Sequence, residues 1–190
     1  EKLFNDVYKF FNTSYKKEDK TLRIVRKQTV SIGLIFNDGN DILDIDIVPG
    51  WELSQDNYPN DKSINLHVNI DGRVSIQTNI EKQINHIKGK NEERQCIRLL
   101  KIWKTQKKKN IKSFFLELIT IRAFENATTI PGGIWNKLEM VMEYVIDNVE
   151  IVRLVDPGNK NNVVSETMTK AEKKQLSNEM KNMLNKINHN

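Results

Sequence analysis

Cysteine is nearly missing from this chain: Cys96 is the only one in 190 residues. One thiol excludes an internal disulfide framework and any multi-cysteine zinc site, and it fits a reducing compartment. Histidine is also scarce. His67, His86 and His189 show no metal-ligand spacing, and no serine lies in a nucleophile-elbow motif, so zinc and hydrolase chemistry have little support. No apolar run approaches the ~18 residues that a membrane span needs. The N-terminal stretch lacks the charged-then-apolar pattern of a signal peptide, so the expectation is a cytoplasmic protein with no membrane partner. No internal repeat is visible.

What is present is a globular composition. Hydrophobic residues make up 38% and charged residues 29%, enough for a sizeable core and too apolar for a disordered chain. The length suits one ordinary domain or a large lobe of a two-lobed protein. Lys (23), Asn (23) and Ile (22) fill over a third of the chain, a bias that a low-GC coding sequence also produces. The distribution of charge is therefore more informative than the net +5. Residues 88–112 hold ten basic residues (Lys88, Lys90, Arg94, Arg98, Lys101, Lys104, Lys107, Lys108, Lys109, Lys112) against Glu92 and Glu93, leaving the rest slightly acidic. A concentrated positive segment points to an anionic partner, a nucleotide or RNA.

Apolar spacing predicts an opening helix over 2–15. Strands are predicted at 22–27, 30–36 and 42–48, the last two split by the turn Asn37-Asp38-Gly39-Asn40, and a second hairpin at 64–70 and 73–77 around Asp71-Gly72. From residue 79 the pattern becomes helical: 80–88, 91–109, 111–126, 132–147 and 170–186, with a short strand at 151–155 and a turn at Asp156-Pro157-Gly158. The expected fold class is α+β, with a partial mixed β-sheet lobe (1–78) followed by a helical lobe (79–190).

Two places could carry chemistry. Alternation puts Asp44 and Asp46 on one face of a strand end, where carboxylates suit Mg²⁺, or simply face solvent. On helix 91–109, Arg94, Arg98, Lys101 and Lys108 form a cationic stripe opposite Cys96, Leu99, Leu100 and Trp103. Asn110 as N-cap would place Lys112 and Ser113 in the first turn of the next helix, where free N–H groups favour phosphate. Local capping explains Ser113 equally well. A single-residue connection would lay the two helices side by side and make Lys101, Lys112 and Ser113 converge, with Lys107, Lys108 and Lys109 facing solvent. Phe114 is placed to stack on a base or to fill the core. Glu117, in a helix apolar nearly all round, needs a partner, and Arg98 or Arg122 are the candidates. Trp51, Trp103 and Trp135 read as core or lobe-interface residues.

Taken in order, Asp46-Ile47-Val48-Pro49-Gly50-Trp51, Gln77-Thr78-Asn79, Ile97-Arg98-Leu99-Leu100-Lys101-Ile102-Trp103-Lys104, Lys112-Ser113-Phe114-Phe115-Leu116-Glu117-Leu118 and Asp156-Pro157 resemble the cGAS/DncV-like nucleotidyltransferases (CD-NTases), with oligoadenylate synthetases as more distant relatives. The resemblance runs from about residue 20 to about residue 160. It implies a nucleotidyltransferase-like fold and a Mg²⁺-dependent (or Mn²⁺-dependent) enzyme that joins nucleoside triphosphates such as ATP or GTP into cyclic or linear oligonucleotides for antiviral or second-messenger signalling. It implies Asp46 as the third metal-binding, catalytic aspartate, and Lys101, Lys112, Ser113 and Phe114 as nucleotide-binding residues. The family's Gly-Ser loop and Asp-x-Asp strand have no counterpart here, so the chain is expected to correspond to a member without its first part and to be inactive alone. A non-catalytic nucleotide- or RNA-binding module with a degenerate form of the fold is the alternative.

Overall fold

The computed structural model describes residues 1–54, 60–70 and 73–187. The chain divides into two compact units, Glu1–Glu81 and Lys82–Asn190. The coarse expectation of helices together with a separate strand-rich portion holds, with about 52% helix and 22% strand. The expected mixed sheet is corrected: among the described residues the first unit has two three-stranded antiparallel sheets, ordered β1-β2-β3 and β4-β5-β6.

The first unit opens with helix α1 (Lys2–Lys9), which runs without a break through a π-helical stretch, Phe10–Tyr15, into a short α2 (Lys16–Glu18). Asp19 ends it. One carboxylate oxygen of Asp19 accepts from the Thr21 N–H (2.9 Å) and hydroxyl (2.7 Å), and these bonds hold its pKa below the usual range. Strands β1 (Leu22–Lys27), β2 (Ile32–Asn37) and β3 (Ile42–Ile47) follow. The turn before β3 uses side chains as backbone substitutes: Asn37 Oδ1 accepts from the Gly39 N–H, and Asp38 Oδ1 from those of Asn40 and Asp41. Gly39 is there because φ is +101°. Phe4, Leu22, Ile32 and Leu34 make a small core under α1, with Val7, Tyr8, Phe11 and Tyr15 packed beside them. The second sheet is β4 (Gly50–Glu52), β5 (Ile64–Ile70) and β6 (Arg73–Thr78). The predicted turn at Asp71-Gly72 lies outside the described residues.

The second unit is built round α5 (Ser113–Asn126), in which Phe115, Leu116, Leu118, Ile119, Thr120, Ile121, Ala123 and Phe124 are all buried. A helix apolar on every side must be enclosed. Here α4 (Asn91–Gln106), α6 (Ile134–Asn148) and α7 (Lys170–Ile187) pack around it, contributing Cys96 and Leu100, Leu138 to Val145, and Leu176, Met180 and Leu184 to one core. The Thr120 hydroxyl is satisfied by the Leu116 carbonyl at 2.7 Å. Helix α3 (Ile80–Ile87) precedes α4. A small hairpin, β7 (Val155–Asp156) and β8 (Asn159–Val163), turns through Pro157-Gly158 and leads into a 3₁₀ turn, Val164–Thr167. The strand expected at 151–155 is therefore displaced to 155–156.

Several local expectations are corrected. Helix α4 stops at Gln106 rather than 109, because Lys108 adopts a left-handed φ of +51°. Helix α5 begins at Ser113 with Lys112, not Asn110, in the N-cap position and no side-chain cap. The link between the two helices is thus 107–112 instead of one residue. Leu99, Trp51 and Trp135 are exposed, and only Trp103 is packed, in part, on the helical core.

Candidate anion-binding site on the helical unit

Helices α4 and α5 run antiparallel, and their side chains link them at three heights. Lys104 Nζ donates to Ser113 Oγ at 3.1 Å, Lys101 Nζ to Glu117 Oε2 at 3.4 Å, and Lys90 Nζ meets Glu125 Oε1 at 3.5 Å. The expected grouping of Lys101 with Lys112 and Ser113 is therefore replaced. Ser113 is served by Lys104, Lys101 lies one turn further in, and Lys112 is exposed at the helix start. Glu117 is partnered by Lys101 rather than by Arg98 or Arg122, and its side chain keeps 20% exposure. Phe114 is half-buried against the helical core. Lys109 does not face solvent but pairs with Glu179 of α7, whereas Lys107 and Lys108 are exposed.

Lys101 instead belongs to a cavity of about 440 Å³ lined by Ile84, Ile87 and Lys88 from α3 and its end, Arg94, Ile97, Arg98 and Lys101 from α4, and Glu117 from α5. The helical spacing of Arg94, Arg98 and Lys101 brings them to the same side of α4. None of Lys88, Arg94 and Arg98 forms an ion pair with a described residue. Four basic residues, of which Lys88, Arg94 and Arg98 are exposed, thus line the same cavity as one carboxylate, which pairs with Lys101, and three isoleucines. Crowded cations without counter-charges repel each other, and an entering anion relieves that repulsion. The isoleucines offer an apolar bed for the uncharged part of a ligand.

Two titratable groups of α3 and α4 have shifted pKa values. His86, on α3, has its pKa lowered, mainly by burial, with Glu125 and Glu117 opposing and Lys90 and Arg122 assisting. Burial in the α4 core pushes the Cys96 thiol up to about 11, which makes it unreactive.

A second cavity, about 270 Å³, lies between residues 107–111 and α7. Its lysines face Glu172 and Glu179, and Lys109 is already neutralised, so its pull on an anion is weaker. Sequence reasoning found the basic segment with Lys88 and the α4 stripe but not the isoleucine bed, since only the packing of α3 beside α4 brings it in. The i, i+3 spacing of Ile84 and Ile87, a helical apolar pair just before Lys88, was the available signal.

In the first unit, Asp46 is exposed on β3 opposite Gly33 of β2. Asp44, on the same face, is tied to Arg26 at 3.3 Å. Both partners are about half exposed, so the pair contributes little stability. Among the described residues no three His, Cys, Asp or Glu side chains come together as a metal site. Mg²⁺ in phosphoryl chemistry takes two or three carboxylates, and Asp46 by itself does not fit it.

Compared with models of protein families and with curated proteins, the chain matches none. None of the described helices is long and apolar enough to cross a membrane.

Proposed function

We propose that the protein binds a nucleoside triphosphate through the α3–α4–α5 cavity and works as the nucleotide-holding part of a nucleotidyltransferase. The observation that carries this is the set of uncompensated cations, Lys88, Arg94 and Arg98, joined by Lys101 around an apolar bed. A triphosphate brings several negative charges to match several cations, and arginine forks bind phosphate oxygens two at a time. Ile84, Ile87 and Ile97 suit the face of a base. A simple inorganic anion would not need that bed.

The wider activity, joining nucleoside triphosphates into cyclic or linear oligonucleotides with release of pyrophosphate, rests on the resemblance to CD-NTases. In such a reaction positioning and charge neutralisation do most of the work, and this cavity supplies both. A non-catalytic RNA-binding module is the second reading, favoured by the exposed Lys107, Lys108 and Lys112 next to α4.

Calorimetric titration with ATP, GTP and a single-stranded RNA at two salt concentrations separates the two. Arg98→Ala and Lys101→Ala should each weaken triphosphate binding by about 1.5–3 kcal/mol, the range for hydrogen bonds to charged groups. The double variant Lys107→Ala, Lys108→Ala should leave it nearly intact and reduce only salt-dependent RNA binding. If the double variant impaired ATP binding while Arg98→Ala did not, the RNA module would be the better reading.

A further inference from the structure

Helix α3 forms one wall of the cavity, yet none of its residues is fully buried. Its half-buried face, Gln83, His86 and Ile87, is a thin contact for an eight-residue helix. Side-chain hydrogen bonds add to that contact, and those from Gln83 lead to an unusual group. Asp156, 5% exposed, accepts from the Gln83 amide on both oxygens (3.0 and 3.2 Å), from the Gly158 N–H at 2.8 Å and from the Asn162 amide at 3.1 Å. All four bonds come from neutral donors. A buried carboxylate is expensive unless its lone pairs are filled, and here the β7–β8 turn fills half of them in advance. The turn therefore presents a preorganised acceptor, and Gln83 completes it from α3.

The sequence links this contact to the cavity. Gln83 is followed directly by Ile84, with Ile87 one helical turn further on and Lys88 after it, three of the residues that line the cavity. We propose that Asp156 is a positioning residue: through Gln83 it fixes α3 so that Ile84, Ile87 and Lys88 stand against Arg94, Arg98 and Lys101 for a nucleotide. This rests on the nucleotide reading of the cavity.

The test uses the full chain with Gln83→Ala and, from the other side, Asp156→Asn, with Arg98→Ala as reference. Amide hydrogen exchange over residues 82–88 is followed alongside ATP titration well below the melting temperature. Gln83→Ala should speed exchange in α3 and weaken ATP binding by roughly tenfold, as expected for a lost charge-assisted hydrogen bond. Exchange in the unit outside α3 and the β7–β8 hairpin that carries Asp156 should not change. Asp156→Asn keeps the volume and part of the hydrogen bonding, so it should show a smaller loss of affinity than Gln83→Ala. Arg98→Ala should weaken ATP binding without touching α3 exchange. Unchanged α3 exchange in Gln83→Ala, or faster exchange with unaltered ATP affinity, overturns the positioning role. If the unsubstituted protein fails to bind ATP while Gln83→Ala still loosens α3, the nucleotide reading falls, and with it the proposal for Asp156, although the tether itself remains.

Discussion

His86 and Gly33 show how single positions are set by what crosses them. A Cβ on Gly33 would come within 2.8 Å of Arg26 Nε and 2.6 Å of Gln28 Nε2, so the missing side chain is what lets Arg26 lie across β2 to reach Asp44. For His86 the deciding term is burial, which disfavours its charged form. Its folded pKa is below the unfolded value of about 6.5, so as pH falls through that value the unfolded chain takes up the proton first. The stability it contributes is present above about pH 6.5 and is lost as pH falls towards the folded pKa. Urea midpoints at pH 7.5 and 5.5 should therefore fall further for the natural protein than for His86→Gln. An equal fall in both would show that His86 plays no part.

Among the elements, those with a strong period or a strong turn were legible from the residues alone. Strand β1 and the turn at Asn37–Asp41 follow from β-branched runs and hydrogen-bonding turn residues, and α5 follows from its continuous apolar character. Short or polar elements were not. Strand β4 has three residues, and β8 reads Asn-Lys-Asn-Asn-Val, which no hydrophobic alternation marks. The end of α4 depends on one left-handed lysine, a conformation that lysine does not advertise. The start of α7 was available: Thr169 and Glu172 form a reciprocal capping box, with Thr169 N–H to Glu172 Oε2 at 2.7 Å and Glu172 N–H to Thr169 Oγ1 at 3.2 Å. Thr169→Ala should cost about 1 kcal/mol in urea denaturation. A change below the precision of that measurement would mean that the Thr169 cap contributes nothing to α7 beyond its packing through Leu176, Met180 and Leu184 and its pair with Lys109.

For the molecule as a whole, the separation into a strand-rich and a helical portion was visible in the shift of pattern near residue 79, whereas the cavity was not. Basic stripes look alike in sequence whether they face solvent or frame a site. Arg94, Arg98 and Lys101 became a site through α3, which sets Ile84, Ile87 and Lys88 opposite them, while Lys109, of the same basic run, is neutralised by Glu179 from α7. The register at Ser113 was not legible either, since the 107–112 link sets Lys104 rather than Lys101 against its hydroxyl. The most direct check is photolabelling of the full chain with an azido-ATP and mapping of the modified peptides, with unlabelled ATP as competitor. Competed label should be confined to residues 84–101 and the α5 turn around Glu117. Competed label in 107–112 or in α7 instead would contradict the assignment of the α3–α4–α5 cavity as the nucleotide site.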